Sequence, residues 1–170
     1  KKVGNLISQD VSMSAKILQL VNSALFGLSQ KITDPQQAVV YVGIETLKSL
    51  GLSFHVFSSL EKDAESCGFS LLKMWRHSLR TSRLARDIAR AEKANGKTVE
   101  AAMIAGMLHD VGKLIFLKVP EKYNEVMDLI ETTGCSPAKA EYTVMKTSHS
   151  ELGAYLLGLW GLPANVVETV

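Results

Sequence analysis

An all-α fold is predicted by three observations. Apolar residues recur at three- and four-residue spacing along most of the chain. Period-two alternation, the mark of a half-buried strand, is nearly absent, and the polar breaks carry helix-capping residues. Of 170 residues, 46% are apolar and 21% charged, which is the composition of a globular protein rather than a disordered one. That length suits one domain of ordinary size, or two small lobes sharing a core.

Taken in order, Asp10 is placed to cap a first helix, with Met13, Ile17, Leu20, Val21 and Ala24 at helical spacing and Gly27 at its end. Thr33-Asp34-Pro35 restarts the chain with a capping residue and an early proline, and Gly43 breaks the short helix that follows. A helix from about Glu45 to Leu60 should turn Leu47, Leu50 and Phe54 inward. Glu61 to Gly68 reads as a polar connection and a boundary between an N-terminal helical lobe and the rest. From about Leu71 to Ala94 one stripe holds Met74, His77, Ser78, Thr81, Leu84, Ala85, Ile88 and Ala91, and the other Lys73, Arg76, Arg80, Arg83, Asp87 and Arg90. Asn95-Gly96 is expected to end that helix.

The run Ala101 to Leu108 has no charge on any face, so it predicts a buried helix. Pro120 opens an amphipathic helix with Tyr123, Val126, Met127 and Ile130 on one face. Ser136 and Pro137 open the next. Ser148-His149-Ser150-Glu151 matches a capping box, placing His149 in the first turn of a helix closed by Gly161-Leu162-Pro163.

Several function classes are disfavoured. A net charge of +2 is too small to indicate nucleic acid. No apolar run approaches the ~20 residues of a membrane span and no secretion signal opens the chain, so a cytoplasmic location is expected. Cys67 and Cys135 lack CxxC spacing and read as free thiols. The arginines at 76, 80, 83, 86 and 90 are most simply a solvated face, the alternative being a dock for an acidic or phosphorylated partner. Because the chain starts at Lys1, it is read as an excised segment.

The buried helix ends on His109-Asp110, and Gly112-Lys113 follows. A carboxylate at the interior end of a dry helix needs compensation. Either a metal ion or a hydrogen-bonded network with Lys113 would provide it. A lone inward histidine is ordinarily a satisfied core residue. His77, His109-Asp110 and His149 nevertheless share an inward orientation, and helices can present ligands to one point in this way. A divalent ion there (Zn, Fe, Mn or Mg) would acidify bound water, and Lys113 would neutralise phosphate charge. The positive end of the helix dipole at His149 would keep that ring neutral. The candidate metal ligands are therefore His77, His109, Asp110 and His149, with Asp110 and Lys113 as candidate catalytic residues.

Trp75-Arg-His-Ser78, Gly106 to Leu114, His149-Ser-Glu-Leu-Gly153 and Trp160-Gly-Leu-Pro163 resemble the HD superfamily. Leu6 to Asp10, Ser14 to Leu18, Val21 to Gly27 and Gly43 to Glu45 narrow the resemblance to the HDOD family, the HD-related output domain of bacterial signalling proteins. The resemblance implies an HD-like lobe (67–170) packed against an N-terminal helical lobe (1–66) as one structural unit. It also implies regulatory work through protein contacts, with attached receiver, sensor or cyclic-nucleotide modules as partners. The superfamily motif falls on His77, His109, Asp110 and His149. The enzyme-class alternative is a metal-dependent phosphohydrolase acting on a nucleotide or other phosphoester. Against it, the superfamily's hydrolases take a further ligand, typically aspartate, from a later helix, whereas Glu168 is the only acid after Glu151.

Overall fold

The computed structural model describes residues 15, 17–19, 21–22, 30–44, 46–47, 51 and 61–170. These residues are helical or connecting, with no strand among them. None of their helices is long and apolar enough to cross a membrane. The chain divides into two compact units, Lys1–Val56 and Phe57–Val170.

In the first unit, Asn22 ties two segments together. Its amide group donates to the carbonyls of Leu18 at 2.8 Å and Ile32 at 2.7 Å, and its oxygen accepts the Ile32 N–H at 2.7 Å. Ile17, Val21, Ile32, Ala38 and Leu47 are buried. Helix α1 (Pro35–Val42) starts at the expected proline and stops before Gly43, whose φ of 84° suits a residue without Cβ. The expected cap Asp10, the stripe residues Met13, Leu20 and Ala24, the stop at Gly27, and Leu50 and Phe54 lie outside the described residues.

The second unit opens with α2 (Glu61–Ser66), where a polar connection was expected. Ala64 is buried there, and Asp63 pairs with Lys118 at 2.6 Å, so a hydrophilic composition concealed one anchored helical turn. Helix α3 (Leu71–Ala91) is capped by Ser70, whose hydroxyl accepts the Lys73 N–H. Its buried line is Met74, Ser78, Ser82 and Arg86 at four-residue spacing. The expected stripe is therefore rotated, because Leu84 and Ile88 are each 62% exposed. Arg86 leaves the expected solvated face: it is buried and holds Asp87 Oδ1 at 2.9 Å.

The cause is helix α4 (Gly96–Leu108), which crosses α3 closely. A Cβ on Gly106 would lie 2.9 Å from Ser82 Cα, so the crossing selects small residues over large apolar ones. Ser82 Oγ seals it by donating to the Met103 carbonyl at 2.8 Å. Asn95-Gly96 also acts opposite to expectation. Helix α3 ends earlier, with Lys93 at φ 56°, and Asn95 caps α4 by accepting the Thr98 N–H at 3.0 Å. Asparagine serves either end of a helix, and only the backbone path decides which.

The remaining helices are α5 (Lys113–Phe116), α6 (Pro120–Thr133), α7 (Pro137–Met145), α8 (His149–Leu159) and α9 (Ala164–Val167). Gly134 stops α6 at φ 65°, and Ser136 caps α7. Helix α8 rests on α5 and α9, α9 on α4, and α6 on α5 and α7. The core is Met103, Ile104, Met107, Leu108, Val111, Leu114, Phe116, Leu117, Val126, Leu157 and Val166. It surrounds the turn from α4 into α5.

The capping box of α8 forms as read: Ser148 Oγ accepts the Glu151 N–H, and Glu151 accepts the Ser148 N–H at 3.1 Å. The Tyr142 hydroxyl, then the Ser148 N–H and Thr147 hydroxyl, hold the Glu151 carboxyl below the usual carboxylate range. Because the folded pKa lies below the unfolded one, this stabilisation is complete at neutral pH and disappears as pH falls through the folded value. Glu151→Gln is expected to lower the urea midpoint at pH 7, and the gap to wild type should close below about pH 4. A gap that persists unchanged in acid would contradict this assignment.

Candidate metal centre

Helix α4 carries six consecutive buried residues, Met103 to Leu108, directly into His109 and Asp110. Asp110 is 5% exposed. Its Oδ2 faces Lys113 Nζ at 2.7 Å, His109 Nε2 at 3.4 Å and His77 Nε2 at 3.5 Å. Its other oxygen, Oδ1, faces His149 Nε2 at 3.6 Å. His77, His109, Asp110, Lys113 and His149, expected to share a site, thus gather around one carboxylate. His77 differs in one respect: its side chain is 56% exposed, at the rim instead of on the inward stripe.

The tautomers follow from the outer bonds. His109 Nδ1 lies 2.9 Å from the Gly106 carbonyl, which can only accept, so Nδ1 carries the proton and Nε2 offers a lone pair. His77 Nε2 and His109 Nε2 are 3.0 Å apart. The donor triangle therefore has edges of 3.0, 3.4 and 3.5 Å. Ligands at zinc-like distances in a tetrahedral shell lie about 3.3 Å from each other. Two imidazoles and a carboxylate also suit a borderline divalent ion. These residues fit a metal, and among the described residues His77, His109 and Asp110 form a group that could hold one. A metal-free network fits the same atoms: His77 Nε2–H donates to His109 Nε2, and Lys113 neutralises Asp110.

Beside this centre lies a cavity of about 320 Å³ lined by Phe69, Ser70, Lys73, Met74, His77, Asp110 and Lys113. Glu141 of α7 had not been singled out from the sequence. It is buried, and both of its carboxylate oxygens lie 2.7 Å from His149 Nδ1. Its neighbours in α7 are alanines and polar residues that mark no site, and its eight-residue lead over His149 matches no short motif.

Gly112 lets these parts meet. Its φ of −63° is open to any residue, so space rather than backbone freedom requires glycine. A Cβ there would overlap the His149 carbonyl and approach Gly153 N to 2.6 Å. The turn after Asp110 is thus pressed against the first turn of α8, which carries His149.

The HDOD domain family model matches residues 1–170. This chain belongs to the HDOD family. Among curated relatives, the domain is 29% identical over 169 residues to an uncharacterised protein of Treponema pallidum (strain Nichols), covering 97% of this chain and 31% of that one. It therefore spans about a third of that relative's length. A Geobacter sulfurreducens HDOD domain protein of unknown function superposes with a TM-score of 0.71 at 26% identity, covering 98% of this chain and 55% of that one. A Shewanella amazonensis SB2B protein with the provisional name of phosphohydrolase gives 0.76 at 23% identity, covering 98% and 58%. The last likeness is one of fold.

Gly112→Ala is expected to destabilise the domain by roughly 1–3 kcal/mol through overpacking, read from chemical denaturation. A variant as stable as wild type would show that the close approach of α8 to the turn has no consequence.

Proposed function

We propose that this HDOD domain is a cytoplasmic signal-transduction output domain that works through contacts with other proteins or attached modules, and that its second unit binds a divalent ion. His77, His109 and Asp110 are the ligands in this reading, and His149 Nε2, facing the other oxygen of Asp110 at 3.6 Å, is a fourth that completes the shell. The observation that carries the regulatory reading is Lys113. Its ammonium sits 2.7 Å from Asp110 Oδ2, so the cluster is charge-compensated without an ion, and binding an ion must loosen that pair. Such a centre would be satisfied either by the ammonium or by an ion, which suits a switch better than a permanently loaded catalytic site.

A second reading is favoured by the cavity. It opens on Asp110 and His77 and carries Lys73 and Lys113, groups that would neutralise a phosphoester. When bound, a divalent ion would supply a water acidified enough to attack phosphorus. In that reading Asp110 and Lys113 orient and neutralise, while Phe69 and Met74 exclude water from one wall.

Calorimetric titration with Zn²⁺ or Mn²⁺, followed by assay of a generic phosphodiester, separates the two. The regulatory reading expects about one ion per chain, binding lost in Asp110→Ala, and no turnover. Lys113→Met should bind the ion about tenfold tighter, because a repelling charge and a competing partner are removed together. Metal-dependent turnover abolished by Asp110→Ala would overturn the regulatory reading. Absence of binding in wild type would remove the metal from both.

A further inference from the structure

We infer that Glu141 is a positioning residue that locks His149 in a single tautomer and aims its Nε2 lone pair at the Asp110 centre. This rests on the reading of that centre as a metal site, and it adds a group outside the expected ligand set.

Three observations support it. Glu141 is 4% exposed, which is unusual for a carboxylate that has no role. Both of its oxygens lie 2.7 Å from His149 Nδ1, and Oε2 also accepts the His149 backbone N–H at 2.9 Å. One carboxylate thus grips the side chain and the main chain of the same residue, fixing the ring's position and rotation together. A carboxylate only accepts, so Nδ1 carries the proton, and in the neutral ring that an ion requires Nε2 is the donor atom, 3.6 Å from Asp110 Oδ1.

The outer bonds of His109 and His149 therefore share one logic. Gly106 O holds the first ring by Nδ1–H and Glu141 holds the second, so both present Nε2 to Asp110. A carboxylate behind an imidazole orients the ring and raises its basicity toward an ion. The carboxylate is also well placed for a structural reason. The N–H it accepts is that of the first residue of α8, one of the orphan donors at a helix start. Loss of Glu141 should therefore disturb α8 and the ring together, so its test must separate the two.

The test uses ¹⁵N spectra of the imidazole nitrogens in the whole domain without metal, with His149 assigned by its loss in His149→Gln. Wild type should show His149 as the Nδ1–H tautomer. Glu141→Ala should mix the tautomers and weaken Zn²⁺ binding by about 10- to 100-fold. Glu141→Gln keeps one acceptor oxygen and should rescue both readouts in part. An Nε2–H or doubly protonated ring in wild type would overturn the proposal. So would unchanged tautomer and affinity in both variants. If neither variant folds, the wild-type spectrum still decides. If wild type binds no Zn²⁺, the metal reading fails while the tautomer is scored independently.

Discussion

A carboxylate with 5% of its surface exposed has lost its hydration, and leaving it unpaired would cost several kcal/mol. Compensating Asp110 is the constraint that the second unit of this HDOD domain is arranged to meet. Lys113 comes from one turn later on the same stretch, His77 from α3, and His149 from the first turn of α8. The two histidines arrive because close contacts permit it. Gly106 admits α3, and Gly112 admits α8. Neither glycine has a positive φ, so both act through the room they leave.

The compensation is redundant, and that redundancy bears on function. Lys113 already neutralises the acid, while three donor atoms lie at edges suited to a small divalent ion. An ion entering the triangle would compete with the Lys113 ammonium for Asp110 Oδ2, as the proposed regulatory role expects. His77, more than half exposed on α3, would be the ligand with most freedom to follow such an exchange.

Much of this was legible in the sequence, wherever the signal was local. The capping box before His149, the proline starts of α6 and α7, and the uncharged helix leading to His109-Asp110 are short-range patterns read by fixed physical rules. The losses were tertiary. Leu84 and Ile88 drew the inward stripe of α3 toward themselves, whereas the crossing at Gly106 lies against the backbone of Thr81 and Ser82. Hydrophobicity measures burial and says nothing of how closely two backbones must approach. Glu141 was missed for a related reason: a buried acid and a solvated acid are the same letter until the partner, eight residues on, is seen beside it. Asn95 could have closed α3 or opened α4, and the path of the chain chose the second.

Convergence at Asp110 is tested by a crystal structure of the domain soaked in Zn²⁺, with data collected on both sides of the zinc absorption edge. One anomalous peak is expected in contact with His77 Nε2, His109 Nε2 and Asp110 Oδ2, with the Lys113 ammonium moved off the carboxylate. No peak at that triangle, with Lys113 still seated on Asp110 and His77 turned away, would contradict it.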